Sequence, residues 1–326
     1  MSTLLVGLLS AALSSNPPVA ISNLVADKTG ISIPVINTND PVEAAYYKVL
    51  EDDDAAEKDI IRWTDDPSSA TSGAAVDKAT LAGRIQQRID GIKTEYENFI
   101  ALHPDHAHIR LAYGSFLNDT KDDGGAMIQW EKARELDPKN PAAWNNLANY
   151  YGHRSPVKKA FEYYAKAIDL DSNEPVYYEN LATTVYLFRV DAEEYYHLNE
   201  TQVFDKALDL YRKAIALDPD NFILYSDYAQ SFYGTKPPRW QDGLVAWTHA
   251  LKIAHDDVER QGVYIHLARI DVKLGHFDDA RRNLNLITNE MYLGLKKTLT
   301  RNLNQAVVAA TTNALPRAVA PNSATP

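Results

Sequence analysis

The chain has 326 residues and no cysteine. Disulfide frameworks, Cys-ligated zinc, iron–sulfur centres and thiol nucleophiles are excluded, while the compartment stays open because exported chains also lack the residue. Basic residues are outnumbered, 33 Lys+Arg against 44 Asp+Glu, for a net charge of -11. That balance does not supply the cationic surface that holds a polyphosphate backbone, so nucleic acid is not an expected partner. No apolar run reaches the length of a membrane span. A phosphate-binding glycine loop, a Ser-His-Asp order and a metalloprotease helix are also missing, and nothing calls for a cofactor or metal. What is present is an ordinary globular composition, 45% hydrophobic with 19 Tyr, sufficient to bury a core without staples.

The start of the chain is its most apolar part. Leu4 to Leu13 has the length of a signal-peptide core, but no Lys or Arg precedes Lys28 and no clear small-x-small cleavage site follows. Cytoplasmic placement is therefore favoured, with export through an atypical signal in residues 1–20 as the alternative. Ile31 to Ile36, interrupted by Pro34, reads as an extended connector. Asp40 predicts a helix cap, with Pro41 at the first helical position, Glu43 reaching back, and the helix running to Trp63. Its acidic run, Glu51 to Asp54, reads as a solvated face. Pro67 through Gly73 breaks that helix, so residues 1–72 form an N-terminal extension.

From Leu81 the residues Ile85, Ile89, Ile92, Tyr96, Phe99 and Ile100 fall mostly three or four apart, one stripe of a long helix that should end before Pro104. Beyond it the sequence repeats. Trp130-x-x-Ala133-x-x-x-x-Pro138 recurs as Tyr164-x-x-Ala167 and as Tyr211-x-x-Ala214-x-x-x-x-Pro219. Ala133 to Ala167 is 34 residues, Ala167 to Ala214 is 47, Ala214 to Ala250 is 36 and Ala250 to Ile287 is 37, a unit of 34 with insertions of 13, 2 and 3. Each unit sets an aromatic ahead of a large-small pair, with a further small residue downstream. Trp144, Leu147, Ala148, Tyr151 and Ala160 show the pattern best. It returns at Tyr178, Leu181, Ala182 and Ala207; at Tyr225, Tyr228, Ala229 and Gly243; and at Tyr264, Leu267, Ala268 and Ala280. Small residues at fixed points let two antiparallel helices approach, while large ones fill the groove between units.

These residues resemble the tetratricopeptide repeat, a helix-turn-helix of 34 residues. The resemblance implies an all-α solenoid of about five repeats over 107–294, wound as a right-handed superhelix. Residues 73–106 then stand as a degenerate leading helical unit. After Glu290 a capping helix follows, 295–308 being its remainder, with Tyr292, Leu295, Leu299 and Leu303 inward and Lys296, Lys297 and Arg301 outward. Residues 309–326 read as a disordered tail. The 186–200 insertion should extend or loop from the first helix of its unit, leaving Tyr195, Tyr196 and His197 outside the regular stack.

Single candidates for chemistry weigh little. His103, His106 and His108 straddle the Pro104 turn and read as surface polarity rather than a metal site. Asp119 to Gly124 begins like a calcium loop, but Lys121 holds the third ligand place and Trp130 the twelfth, so it reads as a turn within a repeat. His197, beside Glu193 and Glu194, has no nucleophile placed near it. Asn118 and Asn199 sit in N-x-T acceptors.

A row is the better signal. In tetratricopeptide arrays the first helices line the concave face, and an Asn two residues after the leading aromatic grips a peptide backbone in some members. Those places hold Asn146, Asn180, Asp227 and His266; one turn on come Asn149, Thr183, Gln230 and Arg269, with Asn145 adjacent. An amide supplies both donor and acceptor, as a peptide group requires. A solvated concave face must also be polar without any ligand, and Asp227 lacks a donor when ionised. The family's carboxylate clamp fits worse, because Leu111, Val176 and Asn180 occupy places that would carry cations. Five Tyr doublets, from 46/47 to 195/196, supply rings for core and interface. The resemblance thus implies a non-enzymatic scaffold that takes a protein or peptide partner. The alternative is a structural subunit held in a larger assembly through the N-terminal extension and the insertion.

Overall fold

The computed structural model describes residues 40–65, 78–152, 154 and 156–314. The apolar start, the connector at 31–36, the Pro67–Gly73 breaker and residues 315–326 lie outside the described part. Every regular element within it is helical, and the chain divides into two compact units, residues 1–171 and 172–326.

In the first unit, α1 (Pro41–Asp65) and α2 (Lys78–Leu102) form an antiparallel pair. Asp40 caps α1 as expected, its carboxylate accepting from Val42 N at 2.8 Å. Glu43 does not close the box there; its Oε1 lies 3.4 Å from His106 Nε2. Ile92, Tyr96 and Phe99 are buried on α2, against Tyr46, Tyr47 and Leu50 of α1. The acidic run is only partly a solvated face. Asp52 and Asp54 pair with Lys48 and Lys58, each at 2.7 Å, but Asp53 is 4% exposed and accepts from the Tyr96 hydroxyl at 2.7 Å. Its partner lies on another helix, which is why local charge pattern misplaced it.

Two hairpins follow, α3 (Ala107–Asp119) with α4 (Asp123–Leu136) and α5 (Pro141–Gly152) with α6 (Lys158–Leu170). Ala126 and Ala160, the small residues of the second helices, have no exposed surface. Four residues further on, Trp130 and Tyr164 reach back into the first helix. Gly114 makes the first of these approaches possible, since a Cβ there would sit 2.3 Å from Trp130 Nε1. The other repeats carry Ala at the corresponding place, Ala148, Ala182, Ala229 and Ala268, all buried. Between Asp119 and Gly124 the chain turns from α3 into α4, with Lys121 at φ 71° and Asp122 capping α4.

In the second unit, α7 (Pro175–Leu187) pairs with α9 (Glu200–Leu217), α10 (Phe222–Ser231) with α11 (Trp240–Ile253), and α12 (Asp257–Leu274) with α13 (Phe277–Asn285). The last first-helix begins at 257, where Asp256 accepts from Glu259 N and caps it. Gly275 ends α12 at φ 79° with His276 N bonded to the Asp271 carbonyl, a left-handed cap that favours glycine. The insertion is neither an extension of α7 nor an open loop. It folds as a separate helix, α8 (Arg189–Tyr196), whose Ala192 is fully buried, and Lys206 of α9 lies 4.1 Å over the Tyr196 ring. Asn199 and Gln202 then cap α9 reciprocally.

The closing helix α14 (Glu290–Ala314) is longer than expected and carries residues 309–314, which had been assigned to the tail. Leu299 and Leu303 are buried and Tyr292 is half-buried, as read; Leu295 is exposed and Lys296 donates to the Ile287 carbonyl at 2.8 Å. Gln261 ties the preceding loop down. Its Oε1 accepts from both Thr288 N and Asn289 N at 2.7 Å, while Nε2 donates to Asp257 and Thr288.

Candidate functional site

The first-helix residues of the row fall into register. Asn146, Asn180, Asp227 and His266 are each half-buried, and each precedes by one a residue of the packed interior, Leu147, Leu181, Tyr228 or Leu267. Asn145, Asn146 and Asn149 belong to the first unit, and the other six residues of the row belong to the second.

One turn later the row does different work from that expected. The Tyr164 hydroxyl donates to Asn149 Oδ1 at 2.6 Å, and Thr183 Oγ1 lies 2.8 Å from the Tyr211 hydroxyl. Both tyrosines stand four residues after a buried small residue, Ala160 or Ala207. These row residues are therefore internal hydrogen-bond partners that satisfy the polar tip of a packing aromatic. Trp130 at the same place donates to the Leu111 carbonyl at 3.2 Å. Asn145 is only 6% exposed, with Nδ2 3.5 Å from Asn146 Oδ1, so it supports Asn146 more than it faces solvent. Gln230 is exposed.

The second unit adds a residue that the sequence reading passed over. Glu179 precedes Asn180, and burial raises its pKa to about 7, reinforced by the charges of Asp227 and Asp218. Asp227 is raised by burial as well. No Lys or Arg among the described residues pairs with either carboxylate. Register alone could have found Glu179, since it corresponds to Asn145, Ser226 and Ile265. At the other side of the same unit, His266 stacks on Trp247 with ring centroids 4.0 Å apart and 7° between planes, and its Nδ1 lies 2.9 Å from the Tyr233 hydroxyl. Burial, then the nearby charge of Arg269, lowers the His266 pKa to about 4, so the ring is neutral near pH 7. Arg269 lies 5.6 Å from the Tyr233 ring centre.

The remaining candidates resolve into structure. His106 caps α3 by accepting from Ile109 N at 3.1 Å and packs against Tyr46 and Phe99. Among the described residues no three His, Asp or Glu side chains gather as a metal ligand set. A groove of about 730 Å³ runs along α9, lined by Leu198, Lys206, Leu210 and Lys213 with neighbours on that helix, and no residue of the row lines it. No helix is long and apolar enough to cross a membrane among the described residues.

Residues 129–175 match the sequence model of the tetratricopeptide repeat, covering the second half of α4, all of α5 and α6 and the Trp130-to-Ala167 register built above. That stretch is a tetratricopeptide repeat, and the hairpins around it share its all-helical fold. PilW, described as a widely conserved type IV pilus biogenesis factor, is similar in structure with a TM-score of 0.52 at 13% identity, over 68% of this chain and 96% of that one. Pseudomonas aeruginosa PilF is similar with a TM-score of 0.50 at 12% identity, over 80% of this chain and 99% of that one. At such identities the likeness is one of fold. No curated protein matches the sequence. Tetratricopeptide repeats are a scaffold for protein–protein interaction.

Proposed function

We propose that the first-helix face of each unit, taken by itself, receives an extended segment of a partner protein, through Asn146 in the first unit and through Asn180 and Gln230 in the second. One observation carries the reading: the polar row holds the same register in four successive repeats, each member one residue ahead of a packing residue and half open to solvent. Side chains so placed are positioned by the core yet still able to bond an incoming backbone. Asn149 and Thr183 contribute by holding Tyr164 and Tyr211, and so by fixing the helix spacing beneath the groove.

The test is a titration of the partner recovered by pull-down, or of its isolated segment, against wild type and an Asn146→Ala/Asn180→Ala variant. Removal of two hydrogen bonds, each about 0.5–1.5 kcal/mol, should weaken binding roughly five- to a hundred-fold with helicity unchanged. Unaltered affinity with the fold intact overturns the groove. It would favour a structural subunit docked through the insertion, where Leu187 and Val190 are 58% and 74% exposed.

A further inference from the structure

Of the histidines around the Pro104 turn, His106 joins two elements of the first unit. Its Nδ1 accepts from Ile109 N at 3.1 Å and so caps α3, while its Nε2 lies 3.4 Å from Glu43 Oε1 of α1. A ring nitrogen that accepts must present a lone pair, so the proton of the neutral imidazole sits on Nε2 and is aimed at Glu43. One ring thus closes the first turn of α3 with one nitrogen and holds α1 with the other. An imidazolium cannot do both. With a proton on each nitrogen, Nδ1–H faces Ile109 N–H, donor against donor, and the cap opens as the ring turns away.

The ring is also a packing element. Its centroid lies 4.9 Å from that of Tyr46 on α1 and 5.2 Å from that of Phe99 on α2, so it cannot turn without disturbing the contact between α1 and the helices beneath. The charges around it oppose one another. Glu43 of α1 favours the imidazolium; burial disfavours it most, joined by His103 in the turn and by His108 of α3, whose ring stands edge-on at 5.8 Å. Burial prevails and holds His106 below its ordinary 6.5. Glu43 is itself part-exposed, so its ion pair with a charged ring can form outside the packed position and does not retain the ring there. The two tyrosines of α1 complete the surroundings. The Tyr47 hydroxyl donates to Glu43, and the Tyr46 hydroxyl is buried with no hydrogen-bond partner, a cost that the docking of α1 already carries.

We propose that His106 makes α1 an acid-released cover on the first repeat: charging the imidazole opens the α3 cap, withdraws the ring from between Tyr46 and Phe99, and lets α1 lift from Phe99. The sign follows from linkage. A group whose folded value lies below its unfolded one loses its contribution to stability as pH falls from about 6.5, so α1 is held at neutral pH and released in mild acid while the repeats stay folded.

The experiment is amide hydrogen exchange of the full-length protein, read by ¹H–¹⁵N NMR from pH 7.5 to 5 and corrected for intrinsic rates, beside the titration of the His106 ring nitrogens. Protection at Tyr47, Val49 and Leu50 of α1 should fall roughly five- to thirty-fold by pH 5, the ceiling being set by an open ring that titrates at its ordinary value. Leu147 and Ala148 of α5 should keep their protection. The loss in α1, the shift of the Ile109 amide and the charging of the His106 ring should share one midpoint. His106→Asn is the control, because an Asn side chain caps a helix through its oxygen and does not titrate. Its α1 protection, whatever its level, should be the same at pH 7.5 and 5. Full α1 protection in the wild type at pH 5, an equal loss in α5, a neutral ring protonated on Nδ1, or the same pH-dependent loss in His106→Asn overturns the clasp. The last result would move the effect to Glu43, His103 or His108. Should His106→Asn fail to fold, the wild type decides alone: an α1 midpoint separate from that of the His106 ring overturns the proposal, and a coincident one upholds it.

Discussion

Glu179 is held in the folded protein with a pKa of about 7, against an ordinary value of 4.5. Its folded form binds a proton more tightly than the unfolded chain does. The cost is therefore absent below about pH 4.5, grows between 4.5 and 7, and is complete above 7, where the offset corresponds to roughly 2–4 kcal/mol. Glu179→Gln should raise Tm at pH 8 and leave it nearly unchanged at pH 4.5. An equal shift at both values would mean that burial of the charge is not the cause. Packing offers a second test at this scale. Ala160 has no exposed surface, so Ala160→Leu should cost about 1–3 kcal/mol by overpacking, whereas Lys166→Leu, on the exposed side of the same helix, should cost little. Urea midpoints decide it, and equal midpoints would displace the repeat register.

At the scale of elements, Gln261 fastens the start of α14 by accepting two backbone N–H groups. Gln261→Leu would take the partner from both donors, Thr288 in an exposed and Asn289 in a half-buried position. A loss of about 2–4 kcal/mol is expected, with hydrogen exchange at Thr288 and Asn289 accelerated more than elsewhere. Undisturbed exchange at those two amides would show that the loop is held otherwise. The helices of the repeats were legible in the sequence because their signals are local: Ala160, Ala207 and Ala280 mark close approach wherever they stand, and Asp40 marks a start. What escaped depended on distant partners. Asp53 sits within an acidic run yet is buried by Tyr96, 43 positions away. Asn149 and Thr183 read as ligand groups because their partners, Tyr164 and Tyr211, stand on the second helix. Arg189 to Tyr196 has only Ala192 to bury, too little for an apolar stripe to announce a helix.

For the whole molecule, the consequence of building from hairpins is that damage stays near its origin. Each repeat contacts mainly its neighbours, so coupling decays along the chain. Ala160→Leu should raise hydrogen exchange in α5 and α6 well before it reaches α12 and α13. Uniform loss of protection along the chain would show instead that the array unfolds as one cooperative body.

Trp130 and Trp247 occupy the same repeat position, one in each unit, with different company. The first gives its N–H to a carbonyl; the second lies face to face with an imidazole. The chain thereby contains two intrinsic fluorophores that answer to different stimuli. An imidazolium is a strong quencher of a stacked indole, and the folded protein delays the charging of His266 to about pH 4. Emission from Trp247 should hold steady as acid is added from pH 7 to 5 and then fall, while that of Trp130 does not follow. Because a lowered His266 pKa also means stability lost as pH falls from about 6.5 to 4, the second unit is already weakened when the dimming begins. Single-tryptophan variants retaining one or the other would then report on the two halves of the molecule separately, without an added label.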